Sequence, residues 1–133
     1  MGASGMGVFD DDTSCDLIYE AIESDAESFV ERAIENRDSD YLEYDECHEI
    51  IVAGAIMDIL LNRTSYAHNN EEFDQWLQLQ DPSKLTRFKN DIKECLNMVL
   101  SDKSELRELW EENEESYPKW KANILGIINS VGI

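Results

Sequence analysis

Two histidines are the side chains in this chain that could most readily do acid–base or zinc chemistry. His48 has Asp45 and Glu49 beside it, and His68 is followed by two glutamates. Neither histidine has a second histidine or a cysteine four residues away, as a zinc site of the H-E-x-x-H kind requires. The spacing also gives no Ser-His-Asp or Cys-His pair. We therefore expect both histidines to be satisfied core or surface residues and not metal ligands.

A group of closely spaced aspartates near the N-terminus could bind a hard cation. Calcium and magnesium take carboxylate oxygens, and Asp10, Asp11, Asp12 and Asp16 supply four carboxylates. Their spacing is not that of an EF-hand, and the glycines before them do not form a phosphate-binding loop. Helix capping and a solvated acidic face account for the same residues. The sequence predicts no catalytic site, metal or cofactor; a small hydrolase using Asp10, Asp12 or His48 with a divalent ion is the enzyme alternative.

The acidic charge is concentrated in the first half of the chain. The formal net charge is −19, and residues 1–50 hold 16 Asp plus Glu against two Lys plus Arg, whereas residues 51–133 hold 14 against nine. Such a charge repels nucleic acid and anionic lipid surfaces, and it favours the approach of basic partners.

Tyrosines and carboxylates are interleaved at the end of that acidic half. Such a mixture suits a contact surface in which carboxylates steer a basic partner and tyrosines retain it. The residues that we predict to bind the partner are Tyr41, Glu43, Tyr44, Asp45, Glu46 and Glu49. The competing interpretation is a solvated face, with the two tyrosines in the core.

Helices must position these residues, because apolar residues recur mostly at helical spacing. We predict an all-α fold: a compact single-domain bundle over residues 1–133, with about six to seven helices and a Gly- and Asp-rich segment, residues 1–12, packed on it. A central helix is expected from about Asp45 to Leu61, where apolar residues surround the axis and Gly54 permits close helix crossing. A buried strand over residues 50–53 is the local alternative.

Capping patterns place the remaining helices. Thr13 with Asp16, Ser24 with Glu27, and Asp102 with Glu105 have the spacing of helix starts. A short helix is expected over residues 71–79, and Pro118 marks the entry to a final helix. Asp81 and Pro82 are expected to begin one long helix with a buried stripe of Leu85, Phe88, Ile92, Cys95, Leu96 and Val99. The apolar residues of the last two helices include Leu109 and Leu125.

The cysteines and the hydropathy pattern indicate a cytoplasmic protein. Cys15, Cys47 and Cys95 cannot all pair within one chain, and each falls on an apolar helix face, so we expect three reduced core thiols. A zinc or redox role is the alternative. No signal-peptide pattern opens the chain and no run of 18 uncharged apolar residues occurs, so we expect neither secretion nor membrane spanning.

Two stretches of the sequence resemble one bacterial family, catalogued as domain of unknown function 4259. The family opens with a pattern similar to G-A-W-G-x-G-x-F-[DE]-N-D. This chain opens with Gly2-Ala3-Ser4-Gly5-Met6-Gly7-Val8-Phe9-Asp10-Asp11-Asp12-Thr13, in which Ser4 replaces the Trp and Asp11 replaces the Asn. Residues Ser104 to Glu112, followed by Trp120, resemble its C-terminal signature. The resemblance spans almost the whole chain. It implies a helical fold and supplies no catalytic residues.

Charge, size and missing catalytic chemistry together favour a binding protein. We expect an acidic module that binds a basic protein, such as an immunity protein that neutralises a nuclease-type toxin. A nucleic-acid mimic, whose carboxylates occupy the groove of a DNA-binding protein, is the alternative in the binding class. Neither nucleic acid nor a membrane is an expected partner.

Overall fold

Helices account for the regular secondary structure of the part of the chain that the structure describes. The computed structural model describes residues 8–9, 12–66, 68 and 70–131. Its α-helices are α1 (Asp12–Ile22), α2 (Ala26–Ile34), α3 (Tyr44–Asn62), α4 (Glu71–Gln78), α5 (Lys89–Val99), α6 (Glu105–Glu111) and α7 (Tyr117–Val131). Short 3-10 turns cover Glu35–Asp38, Pro82–Lys84 and Thr86–Phe88. The predicted all-α fold is confirmed.

Helix α3 is the centre of the bundle, as its sequence predicts. Every residue from Ile50 to Asp58 is buried, because α1, α2, α5 and α7 pack around this helix. The alternative of a strand over residues 50–53 is wrong. A Cβ atom on Gly54 would lie 3.1 Å from side-chain atoms of both Leu96 and Ile127, so this glycine does permit close approach of α5 and α7.

Helices α1 and α2 each pack on α3. Leu17, Ile18 and Ala21 of α1 are buried, and so are the apolar residues of α2, which are Ala26, Phe29, Val30, Ala33 and Ile34. The N-cap of α2 is Asp25, whose carboxylate accepts the backbone N–H of Ser28 at 2.6 Å. The predicted cap at Ser24 is therefore one residue too early.

The expected long helix from Asp81 is wrong. Two 3-10 turns occupy residues 82–88 before α5 begins at Lys89. Asp81 accepts both the backbone N–H and the hydroxyl of Ser83, and the Thr86 hydroxyl donates to the Ser83 carbonyl. Such local bonds compete with the α-helical pattern. The apolar stripe is nevertheless buried throughout.

Helices α6 and α7 pack together through stacked indoles, those of Trp110 and Trp120, whose ring centres are 6.2 Å apart. Ser104, and not Asp102, caps α6 by accepting the Arg107 N–H at 3.1 Å. Leu109 and Leu125 are 46% and 39% exposed, so these two apolar residues lie outside the core. Trp110 and Trp120 fill the space between the two helices instead.

Three smaller predictions have separate outcomes. Cys47 and Cys95 are buried, but Cys15 is exposed, so the prediction of three core thiols is wrong for Cys15. The predicted packing of segment 1–12 falls mostly on residues outside the described part of the chain. Of the residues of this segment that the structure describes, Phe9 is buried. Among the described helices, none is both long and apolar enough to cross a membrane.

Candidate functional site

An open cleft with a volume of about 370 Å³ lies between α1 and the first turns of α3. Its lining is dominated by carboxylates from both helices. We call this site the acidic cleft; it is lined by Thr13, Asp16, Leu17, Glu20, Asp45, Glu46 and Glu49.

Helical spacing explains how two separate parts of the chain build the acidic cleft. Asp16 and Glu20 lie one turn apart on α1, and Asp45 and Glu49 lie one turn apart on α3, so each pair shares one face of its helix. The packing of α1 on α3 brings the two faces together. Leu17 belongs to the lining and also to the buried core.

Arg32 of α2 balances part of this charge. Its guanidinium lies 3.1 Å from a Glu49 oxygen and 3.5 Å from a Glu20 oxygen. The other Glu49 oxygen accepts the Asn36 amide at 2.9 Å. Glu49 is therefore satisfied within the protein and its side chain is only 17% exposed. Five carboxylates against one arginine still leave a formal excess of four negative charges.

Glu43 and Glu46 hold the start of α3. They form a reciprocal capping box, in which the Glu43 backbone N–H donates to a Glu46 carboxylate oxygen at 2.9 Å. A capping box satisfies two backbone donors that a helix start otherwise leaves unpaired. Glu46 thus fixes the helix end from which Asp45 projects, and it also lines the acidic cleft.

The two predicted tyrosines do not line the acidic cleft, and both make hydrogen bonds to α6, Tyr41 through its hydroxyl and Tyr44 through its backbone. The Tyr41 hydroxyl donates to Glu108 at 3.2 Å, and desolvation together with this bond raises the pKa of Tyr41. The backbone N–H of Tyr44 donates to Glu105 at 2.7 Å, and its ring lies 4.6 Å from the His48 ring. Tyr41 remains 41% exposed.

The six predicted contact residues therefore fall on more than one surface. Asp45, Glu46 and Glu49 line the acidic cleft, Glu43 is exposed at the α3 cap, and the tyrosines contact α6 residues. Sequence reasoning did not assign Asp16 and Glu20 to this surface. Their spacing of four residues on the polar face of α1 was the available signal.

The histidines have structural partners. His48 is buried, with its Nδ1 3.3 Å from the hydroxyl of Ser14, which is also buried. His68 accepts the Asn70 N–H at Nδ1, and its Nε2 lies 3.0 Å from an Asp74 oxygen. No group of three or more His, Cys, Asp or Glu within the described residues could hold a metal ion. Asp10 and Asp11 lie outside those residues.

A buried carboxylate, Asp58, lies near the C-terminal end of α3. It accepts hydrogen bonds from Asn62 and Thr64 at 2.9 Å, from Tyr66 at 2.5 Å, and from the Ser130 hydroxyl. Desolvation raises the pKa of Asp58, but the four donors outweigh it, so the pKa is lowered overall. This network joins the loop after α3 to the last turn of α7.

Comparison with known proteins agrees with the resemblance of the two terminal signatures. A family model described as Domain of unknown function (DUF4259) matches residues 2–123. No curated protein and no solved structure matches the chain.

Proposed function

The chain belongs to the family Domain of unknown function (DUF4259), whose description assigns no activity, and we propose from its own surface that it binds a basic segment of another protein in the acidic cleft. One observation carries the proposal: two helices from separate parts of the chain direct five carboxylates into one open cleft. The ion pairs of the described residues bring one cation, Arg32, to that group.

The acidic cleft has room and chemistry for lysine or arginine side chains. Its volume of about 370 Å³ exceeds what one such side chain occupies, so the aliphatic stem can enter while the charged head reaches a carboxylate. Asp16, Glu20 and Asp45 are exposed, so a partner can reach their oxygens. Carboxylates grouped in this way increase the rate of encounter with a cationic partner as well as the affinity.

In its most specific form, the proposal is an immunity protein that neutralises a basic, nuclease-type toxin in the cytoplasm. A small acidic protein can inhibit a cationic enzyme by binding a basic surface outside its substrate groove, which needs no catalytic residue. This form predicts that the partner recovered from the native host is a toxin, and that equimolar protein abolishes its activity. A recovered partner without toxic activity would contradict it.

The cleft variant, Asp16→Asn, Glu20→Gln, Asp45→Asn, tests the site itself. Each substitution keeps the size of the side chain and removes one charge. An exposed ion pair contributes about 0.5 kcal/mol, so the loss of three such pairs should weaken binding of a lysine-rich peptide roughly tenfold. Calorimetric titration measures this at low salt. The control variant, Glu72→Gln, Glu114→Gln, Glu115→Gln, changes the net charge equally on other exposed positions. Equal weakening in both variants would show that only net charge matters.

A nucleic-acid mimic is the alternative function in the same class. The one-turn spacing of carboxylates on α1 and on α3 favours it, because regularly spaced charges can occupy a groove that otherwise holds phosphates. Competition discriminates the two functions. A mimic is displaced from its partner by duplex DNA, whereas binding to a site other than a nucleic-acid groove is not.

A further inference from the structure

Phe9 inserts its ring into an aromatic cage on the side of the bundle where α4 lies. Three rings form this cage: Tyr66, His68 and Phe73. Their centres lie 5.8, 6.1 and 5.5 Å from that of Phe9, and each meets it edge to face, which is a favoured aromatic geometry. Phe9 is only 5% exposed. The ring is therefore an anchor for the chain just before α1.

The walls of the aromatic cage are themselves fixed. The Tyr66 hydroxyl donates to buried Asp58, and His68 is held at both nitrogens, by the Asn70 N–H and by Asp74. The Phe73 ring stacks on Trp76 at 5.9 Å. Because each wall has its own partner, the cage keeps its shape and sets where Phe9 can lie.

The same helix, α4, also holds the chain at the other end of α1. The Trp76 indole N–H donates to the Ser24 carbonyl at 2.9 Å, and Gln80, just past α4, accepts the Ala26 N–H at 2.9 Å. These bonds fix the turn that follows α1. The region around α4 thus contacts the chain near both ends of α1, and the Phe9 anchor is the contact at the N-terminal end.

Phe9 is tied closely to α1. Only two residues separate it from Asp12, the first residue of the helix, and the Cys15 thiol lies 3.6 Å from the Phe9 carbonyl oxygen. Another face of α1 carries Thr13, Asp16, Leu17 and Glu20 into the acidic cleft. A shift of α1 relative to α3 would separate these residues from the carboxylates of α3.

From this arrangement we infer that Phe9 is a positioning residue for the acidic cleft: by docking in the aromatic cage it fixes α1 and so sets the distance between the two carboxylate walls. The inference rests on the proposed function for its consequence in binding. Its structural part, the position of α1, stands on the contacts alone. Anything that withdraws Phe9 from the cage would accordingly weaken capture of a basic segment.

The test compares Phe9→Ala with a core substitution elsewhere. Ile124→Ala removes a buried side chain from α7, which contributes no residue to the acidic cleft, so it lowers stability without touching α1. With both variants folded at low temperature, we expect Phe9→Ala to weaken binding of the lysine-rich peptide roughly five- to tenfold, a usual size for coupling between sites. Ile124→Ala should leave the affinity unchanged. Phe9→Leu, which keeps an apolar anchor, should restore most of it.

A second readout keeps the two proposals distinguishable. Amide chemical shifts of Asp16 and Glu20 report the position of α1 without any ligand, and we expect them to move in Phe9→Ala and not in Ile124→Ala. If the wild-type protein does not bind the peptide, the proposed function fails while these shifts still decide the inference. Unchanged shifts in Phe9→Ala, or equal loss of affinity in Ile124→Ala, would overturn it. Should Phe9→Ala not fold, Phe9→Val, which leaves less of the ring's volume in the cage than Phe9→Leu, provides the same comparison, and unchanged shifts of Asp16 and Glu20 in that variant would likewise overturn the inference.

Discussion

Replacing buried Asp58 with Asn should destabilise the protein strongly at neutral pH. Asp58 is 1% exposed, and the described residues satisfy its charge with four neutral donors and no ion pair. Hydrogen bonds to a charged acceptor contribute about 1.5 to 3 kcal/mol, against about 1 kcal/mol for neutral pairs. Asparagine keeps one acceptor oxygen but turns an amide N–H₂ toward the Tyr66 hydroxyl. The Tyr66 hydroxyl can then only accept from the amide, so its bond to a charged acceptor is lost and its O–H is left without that partner, while the other three bonds weaken.

The expected loss is about 2 to 3 kcal/mol in the free energy of unfolding, or roughly 10 °C in Tm for a chain of this size. Urea unfolding followed by far-UV circular dichroism measures it. Glu72→Gln, at an exposed position on α4, is the control and should change stability by less than about 0.5 kcal/mol.

The pH dependence of this loss tests the role of the charge. The pKa of Asp58 is lowered in the folded state, so its stabilisation is present above the pKa of an unfolded aspartate, about 4, and disappears as pH falls through the lower folded value. The stability difference between wild type and Asp58→Asn should therefore shrink on acidification from pH 7 toward pH 3. A difference that stays constant over that range would refute the assignment of a buried, hydrogen-bonded carboxylate.

Three further predictions concern packing, capping and thiol access. Gly54→Ala should lower the free energy of unfolding by about 1 to 3 kcal/mol, because the added Cβ atom would lie 3.1 Å from two packed side chains. Gly126→Ala is the control: a Cβ atom there has nothing within 4 Å, so the substitution should leave stability unchanged or raise it. Thermal melts compare the two variants. Ser104→Ala should cost about 1 kcal/mol through loss of the α6 cap, measured by urea unfolding, and an unchanged midpoint would contradict that role. Cys15 should react quickly with a thiol reagent in the folded protein, while the two buried cysteines, whose pKa values burial raises, should react only after unfolding; three equal rates would contradict their burial.

Local sequence signals were sufficient to predict that most of the helices exist, because most carry an apolar face and a capping pattern near their start, although the exact start was wrong for several of them. The apolar stretch that became α3 has no polar face, which indicated a helix covered on several sides, and it is the buried centre. The failure at residues 82–88 has a local cause: Ser83 and Thr86 make hydrogen bonds of their own, and apolar spacing does not distinguish an α-helix from successive 3-10 turns.

The acidic cleft could be predicted only in part, because it depends on how two helices cross. Charge clustering identified Asp45, Glu46 and Glu49, which are close together in sequence. Nothing local pairs them with Asp16 and Glu20, about 30 residues earlier. The Tyr41 hydroxyl and the Tyr44 backbone N–H both bond to α6, more than 60 residues later, so the position of this segment against α6 could not be derived from spacing.

The most direct test of the binding proposal is a map of amide chemical-shift changes as the wild-type protein is titrated with the lysine-rich peptide. The account predicts that the largest changes fall on α1 and on the first turns of α3, at Asp16, Glu20, Asp45 and Glu46, and that they saturate. Changes of similar size at Glu72 and Glu114, or none that saturate, would contradict a specific site in the acidic cleft.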